Sequence, residues 1–260
     1  MAKKNCPECD GTGWRVVEQA PGGGRFAVPC PCTEADRKTH ARQLARIPSR
    51  YKHCDFESFD IDYCCEGPEA VKSNQSLKQA RTLVEKFVTE YPIGTERGLL
   101  LMGPCGVGKT HLSVAALRAL VARGHQGLFY DYRDMLKQIQ ASYNAESQTT
   151  EMEVLEPVLK CEVLVLDDLG ASKPSAWALE TVGHILNARY NDNRVTLVTT
   201  NYLDGDSPRG PGSTVGRQPV REDTLADRIG QRIRSRLYEM CRTVVIVAPD
   251  YRSDVGRHGR

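Results

Sequence analysis

Three groups of residues have the types and spacing to do chemistry. Gly103-Pro104-Cys105-Gly106-Val107-Gly108-Lys109-Thr110 fits the pattern G-x-x-x-x-G-K-[ST]. The glycines let the backbone curl so that its N–H groups and a helix N-terminus face phosphate oxygens. Lys109 would neutralise the outer phosphates of a nucleoside triphosphate, and the Thr110 hydroxyl would ligate Mg²⁺. A glycine-rich turn that binds nothing is the alternative, disfavoured by the apolar run Leu99–Met102 before it and the amphipathic stretch after it. Second, Asp167 and Asp168 end another apolar run, where the carboxyl edge of a parallel sheet opens on a ligand crevice. There Asp167 would hold Mg²⁺ and Asp168 would polarise an attacking water. Third, Cys6-x-x-Cys9 and Cys30-x-Cys32, twenty residues apart, offer two thiol pairs for a tetrahedral Zn²⁺ site, with unpaired thiols or a redox pair as alternatives.

Further polar groups fall where they could serve the same crevice. Asn201 closes Thr199-Thr200-Asn201 after the next apolar run and would orient water or touch the γ phosphate. Arg232, Arg234 and Arg236 recur at two-residue steps, so on a helix Arg232 and Arg236 share a face and Arg234 points elsewhere. A guanidinium from that face, reaching a neighbouring subunit's γ phosphate, would make hydrolysis depend on assembly. A solvated basic face is the plainer reading. Arg252 could touch the same nucleotide within its own chain.

The elements that must position these side chains are legible in the apolar periodicity. Short apolar runs at 98–102, 128–130, 163–166 and 195–198 alternate with helical stretches, which predicts a parallel sheet covered on both faces. Leu77, Ala80, Leu83, Val84, Phe87, Val88 and Tyr91 predict a one-faced helix over about 69–91. A short helix over 34–50 stopped by Pro48, a last helix over 224–240 and a strand at 244–247 are also predicted. Residues 203–221, rich in Gly, Pro and Ser, look like an insertion. The domain reading is a zinc-binding module at 1–45, a linker at 46–68 and a nucleotide-binding domain at 69–260.

A chain of 260 residues, 40% hydrophobic, with a formal charge of +2, can bury a core and has no global field for nucleic acid. No apolar run approaches the roughly 18 residues of a membrane helix, and no apolar leader precedes Cys6, so a cytoplasmic protein with reduced thiols and no membrane partner is expected. Of the ten cysteines, Cys54, Cys64, Cys65, Cys161 and Cys241 suit small apolar fillers, and Cys105 lies inside the glycine loop.

Taken in order, Gly103–Leu112, Leu164–Gly170, Thr199–Asn201, Asp227–Leu237 and Asp250–Ser253 resemble the AAA+ ATPases of the bacterial replicative-helicase loaders, of DnaC and DnaI type, with IstB as a close relative. Ile47–Tyr51 and Phe56–Phe59 resemble that family's entry into the ATPase domain. The resemblance covers about 45–255 and implies a P-loop three-layer α/β/α sheet. It further implies ATP and Mg²⁺ as ligands, Gly103, Gly106, Gly108, Lys109 and Thr110 as Walker A, and Asp167 and Asp168 as Walker B. Asn201 becomes sensor 1, Arg236 the arginine finger, Arg252 sensor 2, and Arg232 a second finger or DNA contact. Implied partners are a replicative helicase engaged by the N-terminal module, single-stranded DNA, and further copies of the chain in an ATP-bridged oligomer. Arg133, Lys137, Tyr132 and Tyr143 flank a helix, and similar positions in the family line a single-stranded DNA channel; a solvated helix face is the alternative.

The chain departs from the pattern in having Asp168 where most AAA+ proteins carry Glu. Only eight residues follow Arg252, so no full helical lid is expected. The implied function is delivery of a ring helicase onto single-stranded DNA during initiation, with ATP switching grip and release. The competing readings are an IstB-like transposase helper on target DNA, a small-molecule kinase, and a zinc-dependent adaptor with a vestigial ATPase.

Overall fold

A computed structural model describes residues 6–18, 25–32, 44–64, 67–92, 98–144, 149–172, 175–204 and 223–253. A two-stranded antiparallel hairpin, β1 (Trp14–Glu18) with β2 (Arg25–Pro29), stands apart in sequence from a five-stranded sheet. The sheet contains β3 (Gly98–Met102), β4 (Gly127–Asp131), β5 (Val163–Asp167), β6 (Val195–Thr200) and β7 (Arg242–Val245), in spatial order β4-β5-β6-β3-β7 and parallel throughout. β6 thus lies between the strand that feeds the glycine loop and the strand that ends in the two acids.

Each central strand is buried on both faces, which is why β3 and β5 are near-continuous apolar runs, while β6 carries Thr196, Thr199 and Thr200 among its buried residues. Leu99, Leu101, Val163, Val165 and Leu197 pack on one side with α1 (Pro68–Glu90) and α2 (Lys109–Ala122). Leu100, Met102, Leu164, Leu166 and Val198 pack on the other, under α3 (Tyr132–Ala141), α4 (Glu151–Lys160), α5 (Ala176–Asn191), α6 (Leu225–Ile229) and α7 (Gln231–Met240). This is the expected three-layer α/β/α arrangement. After β7 the described chain makes a single helical turn at 251–253, with no helical domain among the described residues.

Local chemistry sets the helix ends. Asp131 caps α3 by accepting from Arg133 N at 2.9 Å and Asp134 N at 3.2 Å, Ser175 caps α5 through Ala178 N at 3.1 Å, and Thr150 with Glu153 forms a capping box on α4. α1 begins at Pro68, in the first-turn position where its missing N–H costs nothing, and buries Leu77, Ala80, Val84, Phe87 and Val88.

The structure corrects some expectations. The helix predicted over 224–240 is two, α6 and α7, because Gly230 takes φ +78 and ψ 154, outside the helical region. The strand expected at 244–247 pairs with β3 from Arg242, and Ile246 N continues the pairing to Met102 O at 2.8 Å. The helix expected over 34–50 lies mostly outside the described residues. Its described end is helical at Leu44, and Ser49–Tyr51 forms a 3-10 turn after Pro48. The 203–221 segment lies outside the described residues from 205 onward.

The buried Arg189 was not anticipated. It is fully buried in α5 and donates to the carbonyls of Val158 (2.7 Å) and Cys161 (2.9 Å) and to Thr196 Oγ1 (2.9 Å), tying α4 and its C-cap to β6. No alternating apolar pattern predicts an arginine in a core.

Candidate nucleotide-binding site

The loop between β3 and α2 has positive φ at Gly103, Gly106 and Gly108. Two of these glycines are also needed for close approach. A Cβ on Gly106 would meet Asp250 Oδ1 at 1.7 Å, and one on Gly108 would meet the Phe59 ring at 2.4 Å. The loop is therefore clasped between the entry segment and the tail, and Tyr251 N donates to Gly106 O at 3.2 Å.

Lys109, 7% exposed, turns its ammonium into the loop and donates to the carbonyls of Gly103 (2.8 Å) and Pro104 (2.6 Å). Burial pulls its pKa down to about 8; Cys105, Asp168 and Asp167 oppose that shift, and the Arg252 guanidinium reinforces it. An ammonium held on neutral carbonyls in a low-dielectric pocket is poised for a charged acceptor such as a phosphate.

Thr110, at the start of α2, donates its hydroxyl to Asp167 Oδ1 at 2.8 Å, and Thr199 Oγ1 donates to the same oxygen at 2.7 Å. Burial raises the pKa of Asp167, the two hydroxyls pull it down, and the neighbouring Asp168 charge adds to the rise. Thr110 and Asp167 thus put a hydroxyl and a carboxylate side by side beneath the glycine loop, a hard-oxygen donor set suited to Mg²⁺.

Asp168 sits beyond the strand end with φ +58. Its backbone N donates to Thr199 Oγ1 at 2.8 Å, Asn201 Nδ2 donates to its Oδ1 at 2.6 Å, and the Arg133 guanidinium lies 3.6 Å from its Oδ2. Leu169 N to Thr199 O at 2.8 Å and Thr200 Oγ1 to Leu169 O at 2.9 Å lock the acid turn onto β6. The sequence-predicted Lys109, Thr110, Asp167, Asp168 and Asn201 are thereby brought into one cluster. Arg252 sits at its rim, exposed and bonded to Asp250 Oδ1 at 3.2 Å.

Arg236 and Arg232 are not brought to that cluster. Arg236 lies over the Tyr190 ring at 4.2 Å and bonds Asn187 Oδ1 (3.1 Å) and Glu239 Oε2 (3.0 Å), on the outer side of α5 and α7. Arg232 is exposed beside it in a shallow groove with Gln231, Ser235 and Glu239. Arg234, expected to point away from both, grips Asp204 through Nε at 2.7 Å and lies over Tyr238.

Thr199, Arg133 and Phe59 line the site although the sequence assigned none of them there; Arg133 was expected along a DNA channel and Phe59 in the entry segment. Thr199 had a signal, since it lies two residues before Asn201 in the same strand end. The reach of Arg133 across to Asp168 had none. Of the residues expected to line a DNA channel, Tyr132 is corrected: at 1% exposed it belongs to the core and has no face to offer a base. Tyr143 and Lys137 are exposed, with Tyr143 bonded to Glu151 at 2.7 Å and Lys137 3.7 Å from Asp134.

In the N-terminal module, the four Sγ atoms of Cys6, Cys9, Cys30 and Cys32 lie within 4.8 Å of one another, with Cys6–Cys30 at 3.6 Å and Cys9–Cys32 at 3.5 Å. A tetrahedral Zn²⁺ with bonds of about 2.3 Å needs sulfur–sulfur edges of about 3.8 Å. Asp10 N to Cys6 O at 2.9 Å forms the turn of the first pair, and Cys30 N to Gly13 O at 2.9 Å brings the second pair to it across the hairpin. Among the described residues, the buried apolar cluster of this hairpin is made of Cys6, Cys9 and Cys30 with Cys32 packed against it, so the donor set fits a metal in place of an apolar core.

A profile of the IstB-like ATP-binding proteins matches residues 34–206, more than half of the chain. The chain belongs to that family. It is similar to the replicative helicase loader DnaC of Escherichia coli K12, at 26% identity over 172 residues, covering 64% of this chain and 65% of the relative. It is also similar to the replicative helicase loader DnaI of Bacillus subtilis 168, at 28% identity over 152 residues, covering 58% of this chain and 47% of the relative. The matches therefore span less than two thirds of the length of these curated relatives. A crystal structure of the DnaC helicase loader superposes with a TM-score of 0.58 at 30% identity, covering 76% of this chain and 99% of that one. Membership makes the chain an ATP-binding P-loop protein. No described helix is long and apolar enough to cross a membrane.

Proposed function

We propose that this chain is an ATP hydrolase that loads a ring-shaped replicative helicase onto single-stranded DNA in the cytoplasm, using nucleotide state to switch between grip and release. The observation that carries the proposal is the continuous hydrogen-bonded line Thr110–Asp167–Thr199–Asp168–Asn201, which joins the loop that would hold the phosphates to the carboxylate that would activate water. Relatives named replicative helicase loaders support the choice of partner.

In this reading the glycine-loop N–H groups and Lys109 bind the triphosphate, and Thr110 and Asp167 hold Mg²⁺, which when bound neutralises charge on the β and γ phosphates. Asp168 accepts the proton of the attacking water, and Asn201, bonded to Asp168, fixes the direction of its carboxylate. Arg252 contacts the nucleotide from its own chain. Arg236, engaged on the outer face of α7, is offered to the nucleotide of a neighbouring copy, with Arg232 beside it, so the complete site needs an oligomer. Residues 1–45 dock the helicase on a module held together by Zn²⁺, 46–68 link it, and 69–260 form the ATPase.

Full-length protein should co-purify with its host's replicative helicase in a manner that changes with ATP and Mg²⁺, and Lys109→Ala should abolish the change. Nucleotide binding without any helicase association would overturn the loader reading. The second reading, a transposase helper acting on target DNA, is favoured by the IstB-like profile match. ATP-dependent binding to duplex DNA with a transposase, and none to helicase, would establish it instead.

A further inference from the structure

We propose that His53, Cys54 and His111 form a second metal site, for one divalent transition ion of Zn²⁺ type, that pins the entry segment to the helix following the glycine loop. One nitrogen or sulfur atom from each of the three lies within 4.8 Å of the others. Cys54 Sγ is 3.9 Å from His53 Nε2, against the roughly 3.6 Å edge that a tetrahedral ion makes between a thiolate at about 2.3 Å and an imidazole at about 2.0–2.1 Å. On that edge a closure of a few tenths of an ångström suffices.

The donor set is soft to borderline, two imidazoles and a thiol, which selects Zn²⁺ or Co²⁺ over Mg²⁺ or Ca²⁺. His111 already has the outer contact that orients a ligating ring. Its Nε2 faces Asp55 O at 2.8 Å and Ser58 Oγ at 3.3 Å, which puts the ring proton on Nε2 and the lone pair on Nδ1. The His111 ring is further fixed by edge contacts from Phe59 at 5.4 Å and His53 at 6.1 Å. Cys54 is buried while His53 is exposed, so an ion enters from solvent over His53 and keeps a fourth position for water.

His111 is the residue after Thr110, and Phe59, which closes over Gly108, lies in the segment that begins at His53. A bound ion therefore adds a metal bond between two parts of the phosphate-loop wall that core packing of Cys54 and Phe59, the His111 contacts and Arg118 to Cys54 O already hold together. The site does not depend on the loader reading and is separable from the four-cysteine cluster.

Full-length protein stripped with a chelator, reloaded with Zn²⁺ and dialysed should hold two ions per chain by elemental analysis. Cys6→Ser/Cys9→Ser should hold one, and His53→Ala, a change at an exposed position, should also lower the count by one. With Co²⁺, the Cys6→Ser/Cys9→Ser protein should show visible bands of a tetrahedral ion with one thiolate, lost in His111→Gln. If the four-cysteine cluster binds nothing, wild type should hold one ion and Cys6→Ser/Cys9→Ser should retain it. No ion in Cys6→Ser/Cys9→Ser, or an unchanged ion count in both His53→Ala and His111→Gln, overturns the proposal.

Discussion

At the scale of single residues, Lys109 carries the plainest consequence. Its pKa near 8 lies below that of an unfolded lysine, so the folded, ligand-free protein sheds this proton first as pH rises. Between about pH 8 and the unfolded value, folding stability should therefore increase through this group, while affinity for ATP, which needs the ammonium, should fall. Calorimetric titration of ATP across pH 7 to 9.5 should show this weakening, and Lys109→Ala should bind on the order of 100-fold less tightly at pH 7 because a charge-assisted contact is lost. Asp168→Asn should keep nucleotide affinity and lower turnover by about 10²–10⁴-fold, the usual share of a general base, measured as phosphate release at saturating ATP. Lys109, Asp167 and Asp168 were legible because each belongs to a fixed spacing beside an apolar run. Arg133 was not: its approach to Asp168 depends on the direction in which α3 leaves β4, which Asp131 sets by capping and no spacing encodes.

At the scale of elements, α5 is held to the sheet by one polar side chain as well as by apolar contacts. Arg189→Ala would leave the carbonyls of Val158 and Cys161 without their donor in a buried place, so unfolding in denaturant should show a loss of about 3–5 kcal/mol. Gly230 separates α6 from α7 in a backbone region that side chains avoid, with no atom near enough to obstruct a Cβ. Gly230→Ala should cost about 1–3 kcal/mol from the backbone alone, or drive α6 and α7 toward one continuous helix, and circular dichroism would distinguish the two. The strands of the five-stranded sheet were readable to within one or two residues because burial on both faces favours apolar runs. The break at Gly230 was not, since glycine inside a periodic stretch is compatible with either outcome.

At the scale of the whole molecule, the phosphate-loop cluster and Arg236 occupy different surfaces. The phosphate-loop cluster lies at the carboxyl ends of β3, β5 and β6, whereas Arg236 is engaged with Asn187, Tyr190 and Glu239. If copies share a site, Arg236→Ala and Lys109→Ala, each inactive alone, should regain part of their ATPase activity when mixed, and light scattering should show an ATP-dependent rise in mass. If the four thiols hold Zn²⁺ and the module docks the helicase, chelation should unfold the β1–β2 hairpin and abolish helicase association while leaving ATP binding intact, because the hairpin's buried apolar cluster consists of cysteines. Sequence spacing was enough to name the four thiols, but the hairpin between them emerged only from the fold.

The described tail runs from β7 across the mouth of the glycine loop, with Ile246 O closest to Gly103, Asp250 against Gly106, and Tyr251 stacked edge-on to Tyr63 at 4.9 Å. Anything that reshapes the loop must push on this strap, so a fluorophore placed just beyond Ser253 would be a natural reporter of nucleotide arrival, and a bulky fusion at the same end a natural inhibitor.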